Sequence, residues 1–288
     1  MYLLRMECWK IEEPPMKFWK NTSTLDKLLP ELLETVDASE AEVAVIGGKK
    51  LDLTSMPKLK AIFKCGVGTD NVPFEEAADR GIEVWMPSDK TKRYIFEETA
   101  NFSVYLVFRM LFNEIGEVDG WKKQSRGFLG NKKVLVLGQG NIGSHVTRKL
   151  KASVDVITFD VAENSMDELP GLMKQADVIS LHVPLMDSTK GFIDAEKLGW
   201  MKDGAALVNT ARGPVVDEDV LFEEIQSGRL RAAFDVFWEE PYEGKLKQFH
   251  PNGFLMSPHV SSNCENFLTG LVGDLKDYIK TKKSLNFK

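Results

Sequence analysis

Cysteine and histidine are both scarce in this sequence. The 288 residues include three cysteines and four histidines. Cys8, Cys65 and Cys264 are odd in number and lie far apart, so they form neither a disulfide framework nor the close spacing of a metal site. We therefore expect no bound metal, and a reducing compartment, the cytoplasm, as the location of the protein.

An excess of positive charge and long apolar runs are missing as well. The formal net charge is −6, which argues against a protein that holds nucleic acid by bulk positive charge. The first ten residues contain no sustained apolar stretch, so no secretory leader is expected. The most apolar helix candidate, roughly residues 96–115, contains Glu97, Glu98 and Arg109, and this composition favours a buried or interface helix over a membrane span.

The composition that remains is that of a globular protein with room for two domains. Hydrophobic residues make up 43% of the chain and charged residues 28%, as in ordinary globular proteins. Apolar strands alternate with helices, which predicts an α/β fold with parallel sheets. Strands are predicted near residues 2–6, 42–46, 60–64, 82–85, 134–137, 154–159, 178–182, 205–209, 232–236 and 254–256. Helices are predicted near residues 25–35, 74–80, 96–115, 217–227 and 265–280.

The most informative stretch is VLVLGQGNIGSHV at residues 134–146. An apolar strand enters a turn that contains Gly138, Gly140 and Gly143, and a helix follows. The first glycine allows the tight turn, the second lets a pyrophosphate approach the backbone, and the third lets helix pack on strand. The N-terminus of the helix offers N–H groups and the positive end of a dipole to phosphates. The pattern predicts a dinucleotide site, and its position in mid-chain indicates that another domain precedes it.

An acidic residue strengthens that prediction. Asp160 ends the next strand, 17 residues after Gly143, at about the distance where a carboxylate binds the ribose hydroxyls of a dinucleotide. A carboxylate there repels a 2′-phosphate, so NAD is favoured over NADP. The alternative is that Asp160 only caps the following turn.

Three later strand ends carry the residues that suggest a reaction. Arg212 follows one strand, Glu240 the next and His259 the third. Arginine can bind a carboxylate through two parallel hydrogen bonds, histidine can exchange a proton near neutral pH, and a glutamate beside it favours the imidazolium. Next to a nicotinamide, this set suits oxidation of a 2-hydroxy acid or reduction of a 2-keto acid. Taken singly, Arg212 could equally be an ion-pair partner, His259 a turn residue and Glu240 a solvated side chain.

These segments together resemble the D-isomer-specific 2-hydroxyacid dehydrogenase family, within it the glycerate, phosphoglycerate and hydroxypyruvate dehydrogenase branch. The resemblance covers essentially the whole chain and also includes LGNK at 129–132, LHVPL at 181–185 and GVGTDNV at 66–72. It implies a Rossmann-type doubly wound parallel sheet inserted into a smaller flavodoxin-like α/β domain. The expected division is 1–91 plus 263–288 for the substrate (catalytic) domain and 92–262 for the NAD-binding domain.

The resemblance also implies roles for residues of the reaction. Arg212 would bind the substrate carboxylate, His259 would be the general acid and base, and Glu240, rather than Glu239, would hold His259. The remaining implied cofactor contacts are Gly138, Gly140, Asn141, Ile142, Gly143, Asp160, Pro184, Thr210 and Asp235.

For the substrate, the resemblance implies backbone N–H groups of Val67 and Gly68 as ligands of the carboxylate. Lys64 stands where phosphoglycerate enzymes often carry a basic residue, so it either meets a substrate phosphate or is a solvated strand end. His145 and His182 are read as structural residues, and Cys65 as a small packing residue.

The predicted protein is thus an NAD-dependent oxidoreductase that interconverts a small D-2-hydroxy acid and its 2-keto acid, of the glycerate/hydroxypyruvate, glyoxylate or phosphoglycerate type. The family resemblance implies a homodimer formed through the helix after residue 93 and the Gly120–Trp121 region. One alternative is a non-enzymatic, NAD-sensing corepressor-like protein, which a broken Arg–Glu–His set would indicate. Another is a phosphite or formate dehydrogenase, although formate enzymes carry glutamine where Glu240 stands.

Overall fold

The computed structural model describes residues 16–30, 35–112 and 115–285. Their strands form two sheets, and every strand pair within the sheets is parallel. The chain divides into two compact units. The described parts of Met1–Thr91 and Leu268–Lys288 form the first unit, and those of Lys92–Phe267 form the second.

The first unit contains a four-stranded sheet in the order β1-β2-β3-β4. The strands are β1 (Phe18–Lys20), β2 (Val43–Ile46), β3 (Ala61–Lys64) and β4 (Glu83–Trp85), and helix α1 (Phe74–Asp79) precedes β4. Every residue of β2 and β3 is buried, as expected for central strands of a parallel sheet.

Strand β1 was not predicted. It has only three residues, which are too few to show an alternation of apolar and polar side chains. The strand predicted near residues 2–6 lies outside the described residues. Of the helix predicted at 25–35, the described part around Leu25 is a turn, and residues 31–34 lie outside the description.

The second unit contains a six-stranded sheet in the order β10-β9-β8-β7-β5-β6. Its strands are β5 (Lys133–Leu137), β6 (Asp155–Phe159), β7 (Val178–Leu181), β8 (Ala206–Asn209), β9 (Arg231–Phe234) and β10 (Phe254–Met256). The helices of the chain from residue 89 onwards are α2 (Asp89–Leu111), α3 (Gly143–Leu150), α4 (Leu169–Gln175), α5 (Ala195–Trp200), α6 (Glu218–Gln226) and α7 (Glu265–Leu285).

Side-chain alternation along β5 separates the hydrophobic core of this unit into two layers. Val134 and Val136 pack with buried residues of α2 and α3, whereas Leu135 and Leu137 pack with buried residues of α4, α5 and α6. A sheet covered on both faces in this way is doubly wound. The predicted α/β fold with parallel sheets is therefore confirmed.

The strand order predicts which edge of the second sheet binds a ligand. Strand β5 pairs with β6 on one side and with β7 on the other, so the chain reverses its direction of travel across the sheet at β5. Ligands of doubly wound sheets bind outside the carboxyl ends of the strands at such a switch point. The glycine turn at 138–143 leaves β5 at that place. No helix of the described residues is long and apolar enough to cross a membrane.

Candidate active site

The glycine turn at the end of β5 is tightly constrained at two of its three glycines. Gly138 has a φ of +96°, and a Cβ there would lie 2.6 Å from the His182 carbonyl oxygen. A Cβ on Gly143 would lie 1.9 Å from the Gly138 carbonyl oxygen. Gly140 differs, since nothing lies within 4 Å of its Cβ position. The first and third glycines therefore allow close packing, and the second leaves its backbone open to a ligand.

Helix α3 starts directly after this turn. Ile142 is its N-cap residue and makes no side-chain hydrogen bond to the helix. The first N–H groups of any helix have no partner within the helix, and together with the helix dipole they attract an anion. Asn141 and Ile142, the predicted pyrophosphate contacts, lie at this end.

Asp160 joins the glycine turn to the end of β6. Its carboxylate accepts a hydrogen bond from the Gln139 N–H at 2.7 Å and another from the Ala162 N–H at 3.0 Å. These two N–H donors lower the pKa of Asp160 below its ordinary value, and the Ala162 N–H has the larger effect. Asp160 does cap the following turn, as the alternative interpretation held, but it also fixes the glycine turn and presents an ionised carboxylate at the same edge.

The donor set of this edge fits NAD. Open backbone at Gly140 and the uncapped α3 N-terminus suit a pyrophosphate, and the carboxylate of Asp160 suits a ribose diol. When bound, NAD supplies the acceptor or donor of a hydride.

Thr210 and Pro184 also lie at carboxyl ends of strands in this unit. Thr210 is buried, and its hydroxyl lies 2.7 Å from that of Ser103. Because Ser103 donates its single proton to the Thr99 carbonyl at 2.6 Å, Thr210 is the donor to Ser103 and can only accept from a further partner. Pro184 is exposed, and its carbonyl accepts from the Thr189 hydroxyl at 2.6 Å.

The structure brings Arg212, Glu240 and His259 together. His259 Nδ1 lies 2.8 Å from Glu240 Oε2, which leaves its Nε2 available for proton exchange. The Arg212 guanidinium is close enough to Glu240 to influence the ionisation of that carboxyl. Glu239, the neighbour considered from the sequence, is exposed.

Opposing effects act on the ionisation of Glu240. Burial favours the neutral carboxyl, whereas the hydrogen bond and charge of His259, the Phe237 N–H and the Arg212 charge favour the carboxylate. Their sum lowers the pKa of Glu240 below its ordinary value. An ionised Glu240 can only accept a hydrogen bond, so it holds the proton of His259 on Nδ1 and orients the ring.

The loop that carries Arg212 is held by groups that the sequence reading did not single out. Asn209, buried at the end of β8, accepts from the Ala211 N–H at 2.9 Å and donates to the Arg212 carbonyl at 2.8 Å. At Gly213 a Cβ would lie 2.1 Å from the carbonyl carbon of Phe237. Only glycine permits this crossing of two backbones, and it places the Arg212 loop against the loop that leads to Glu240.

Asp235 has partners that the sequence did not indicate. It is fully buried, with 0% exposure. Its carboxylate accepts from the Ser257 hydroxyl at 2.6 Å and from the N–H groups of Val260 and Ser261, both at 2.9 Å. These donors lie on both sides of His259, whose φ of +51° is in the left-handed region. Asp235 therefore anchors the His259 loop, and its predicted contact with the nicotinamide amide stays a prediction.

His145, His182 and Cys65 have no part in this arrangement. His145 lies 2.9 Å from Glu97 in an ion-pair geometry on the surface. His182 lies 2.8 Å from the Ser180 hydroxyl, and burial lowers the pKa of its imidazole to about 3. Burial raises the pKa of the Cys65 thiol to about 12, although the charge of Lys64 opposes this.

Val67, Gly68 and Lys64 belong to the first unit, at and beyond the end of β3. Val67 and Gly68 are partly exposed in the loop that follows the strand. The interpretation of Lys64 as a solvated strand end is wrong, because its residue exposure is 3%. Its ammonium donates to the Gly47 carbonyl and, at 2.8 Å, to Asn71 Oδ1. No group of three or more histidine, cysteine or acidic side chains that could hold a metal occurs in the described part of the chain.

Sequence reasoning missed Asn209, Gly213, Gln139 and Asn71 as supports of these loops. The available signal was position, since each is a polar residue or a glycine at the end of a strand or in the loop that follows one. Their partners are distant in sequence or belong to another backbone, so only the folded chain reveals their roles.

Comparison with known proteins adds a family to this geometry. The family model described as D-isomer specific 2-hydroxyacid dehydrogenase, NAD binding domain, matches residues 113–261. The model described as the catalytic domain of D-isomer specific 2-hydroxyacid dehydrogenases matches residues 12–100.

Individual relatives agree with these matches. A hydroxypyruvate reductase of Thermotoga maritima is 31% identical over 254 residues, which are 83% of this chain and 81% of that protein. A D-3-phosphoglycerate dehydrogenase of Methanocaldococcus jannaschii is 35% identical over 232 residues, 73% of this chain but only 44% of that protein. The crystal structure of D-lactate dehydrogenase from Aquifex aeolicus, complexed with NAD and lactic acid, is similar with a TM-score of 0.76 and 23% identity, and the similarity covers 94% of this chain and 96% of that one. At that identity the structural likeness concerns the fold alone.

Proposed function

The chain belongs to the D-isomer specific 2-hydroxyacid dehydrogenase family, an NAD-dependent oxidoreductase family, and from this premise we propose that it interconverts a small D-2-hydroxy acid and its 2-keto acid. The candidate pairs are glycerate with hydroxypyruvate, glycolate with glyoxylate, and phosphoglycerate with its keto acid. The first unit binds the substrate and the second unit binds NAD. The observation that carries the proposal is the 2.8 Å contact of His259 Nδ1 with Glu240, beside Arg212.

Each member of this set has a distinct part in the proposed reaction. In reduction, His259 donates the proton from Nε2 to the carbonyl oxygen at C2, and in oxidation it takes the proton from the hydroxyl. Glu240 accepts a hydrogen bond from Nδ1 and thereby orients the ring of His259. Arg212 binds the substrate carboxylate through paired hydrogen bonds. Backbone N–H groups of Val67 and Gly68 contribute further donors to that carboxylate.

The proposal extends to the surroundings of the enzyme. The family resemblance supports a homodimer, and the cysteine usage supports a location in the cytoplasm. The acidic net charge of −6 makes nucleic acid an unsuitable partner.

A substrate screen tests the proposed activity. Oxidation of NADH and of NADPH is followed at 340 nm with hydroxypyruvate, glyoxylate, phosphohydroxypyruvate and pyruvate. We expect NADH-dependent reduction of at least one of these acids, with NADPH the poorer cofactor because Asp160 presents a negative charge. Binding of NADH without turnover of any of them would instead favour the NAD-sensing alternative.

A further inference from the structure

A buried polar cluster lies next to the loop of the first unit that contains Val67 and Gly68. Lys64 is the last residue of β3, and Asn71 lies in the loop that follows. Their exposures are 3% and 6%. Burial of an ammonium group is costly unless hydrogen bonds compensate it, so the partners of Lys64 determine what this lysine can do.

Lys64 and Asn71 connect two strand-end loops. The Lys64 ammonium donates to the Gly47 carbonyl and to Asn71 Oδ1, the latter at 2.8 Å. The Asn71 amide donates in turn to the Gly47 carbonyl at 2.8 Å and to the Lys49 carbonyl at 2.7 Å. The loop after β2 is thereby fastened to both ends of the segment 65–70, which contains Val67 and Gly68.

The loop after β1 joins the same cluster. The Gly47 N–H donates to Asn21 Oδ1 at 2.9 Å, and the Asn21 amide donates to the Lys49 carbonyl at 3.3 Å. A Cβ on Gly47 would lie 2.8 Å from Thr22 Cβ. Hydrogen bonds therefore join the loops after β1, β2 and β3 to one another. The Lys64 ammonium is one of the donors in this network.

We propose that Lys64 is a positioning residue, which sets the geometry of the Val67–Gly68 backbone, and that it is not a ligand of a substrate phosphate. Two of the three ammonium donors are used by Gly47 and Asn71, and the residue is only 3% exposed, so a phosphate contact would require the loops around the ammonium to open. The inference rests on the proposed function, because it assumes that Val67 and Gly68 bind the substrate carboxylate.

The central experiment compares Lys64→Met with Lys60→Met on two substrates. Methionine retains the length of the lysine stem but has no donor. Lys60 is an exposed lysine just before the same strand and is paired with Glu42 at 2.6 Å, so its replacement changes the charge of the chain equally and leaves the cluster intact. Steady-state constants are measured with hydroxypyruvate and phosphohydroxypyruvate, and NADH affinity is measured by fluorescence titration.

A positioning role predicts a common loss on both substrates. We expect Lys64→Met to lower kcat/KM by a similar factor for each, about 10- to 100-fold, mainly through KM, because misplacement by about 1 Å has effects of this size. NADH affinity, which depends on the second unit, should not change, and Lys60→Met should resemble the wild type. A role in stability alone would lower the melting temperature without raising KM.

Two results would overturn the proposal. A loss confined to phosphohydroxypyruvate would show that Lys64 contacts the phosphate, and wild-type constants on both substrates would show that it positions nothing. If the wild type reduces hydroxypyruvate but not phosphohydroxypyruvate, the phosphate contact is already contradicted, and the KM for hydroxypyruvate decides the positioning role.

A second variant and a second readout cover the remaining cases. If Lys64→Met does not fold, Asn71→Ser removes the two bonds to Gly47 and Lys49 and should raise KM in the same way. Hydrogen exchange of the peptides that span 65–72 should accelerate in either variant and not in Lys60→Met. This readout is independent of turnover, so it still tests the positioning role if the wild type reduces none of the acids and the proposed function fails.

Discussion

At the scale of single residues, the proposed reaction depends on the free ring nitrogen of His259. Glu240 occupies Nδ1 at 2.8 Å, so Nε2 is the atom that can exchange a proton with substrate. His145 is a suitable control, because it also pairs with a glutamate but lies on the surface at α3.

Replacement of His259 by alanine should therefore remove the general acid and base and leave the cofactor site intact. We expect turnover to fall by roughly two to four powers of ten, the usual size of this contribution, with NADH affinity unchanged in a fluorescence titration. His145→Ala should keep wild-type turnover. A His259→Ala enzyme with undiminished turnover would refute the assignment.

Asp235 offers a second test at this scale. Its carboxylate accepts three donors that surround His259, and asparagine would present an NH2 group to at least one of them. We expect Asp235→Asn to lower kcat by about 10- to 100-fold through displacement of His259, whereas Ser257→Ala, which loses one bond of the three, should have a smaller effect. Stopped-flow and equilibrium binding separate the outcomes, since weaker NADH binding with unchanged kcat would indicate a cofactor contact and no anchoring role.

At the scale of elements, the β5–turn–α3 segment shows how glycines with different tasks can be told apart. Gly140 has open space at its Cβ position, but a Cβ on Gly143 would collide with the Gly138 carbonyl. We expect Gly140→Ala to keep the wild-type melting temperature and to weaken NADH binding, because the methyl group occupies the approach of the pyrophosphate. Gly143→Ala should destabilise the fold by about 1–3 kcal/mol or more, as overpacking does.

Differential scanning fluorimetry and NADH titration distinguish these two effects. Gly171→Ala is the control for a glycine with free space, since nothing lies within 4 Å of its Cβ position in α4. Loss of stability in Gly140→Ala, or NADH binding equal to that of the wild type, would contradict the separate roles.

Some elements could be predicted from the sequence more accurately than others. Buried parallel strands flanked by glycine or polar residues, such as β5 and β8, were predicted to within a residue at either end. Helix α2 was predicted to start near residue 96 but starts at Asp89. The sequence carried a signal for the earlier start, since Ser88, a residue type preferred at the N-cap, directly precedes Asp89. In the structure the Ser88 hydroxyl accepts from the Thr91 N–H in the manner of an N-cap.

Site residues divide along a similar line. Arg212, Glu240 and His259 could be found because their side-chain chemistry follows consecutive strands, and parallel strands bring such ends together. The burial of Lys64 and the three donors on Asp235 could not be found, because both depend on loops that meet only in the folded unit. Polar side chains at strand ends indicate a ligand-binding edge. The sequence alone does not distinguish those that contact the ligand from those that stabilise the loops.

At the scale of the whole molecule, one segment of the second unit exposes four large apolar side chains, those of Ile115, Val118, Trp121 and Phe128. Residues 118–121 form the turn of a hairpin in which Glu117 pairs with Lys122, and the Trp121 N–H donates to the Val118 carbonyl at 3.0 Å. We name residues 115–128 the apolar arm, since Val118 is 83% and Trp121 79% exposed. Exposed apolar patches of this kind mark interaction surfaces, and the family resemblance points to a second copy of the chain as the partner.

A double substitution of the arm tests this form of association. We expect the wild type to elute in light-scattering chromatography at twice the 32.4 kDa of one chain. Val118→Asp combined with Trp121→Asp should elute as a monomer, because an interface that buries two unpaired carboxylates loses far more than its apolar contacts. Met166→Asp is the matched control, as Met166 is an exposed apolar residue of the same unit outside the arm. A monomeric wild type would exclude the homodimer, whereas a double variant that stays dimeric would move the interface away from the arm to another surface of the chain.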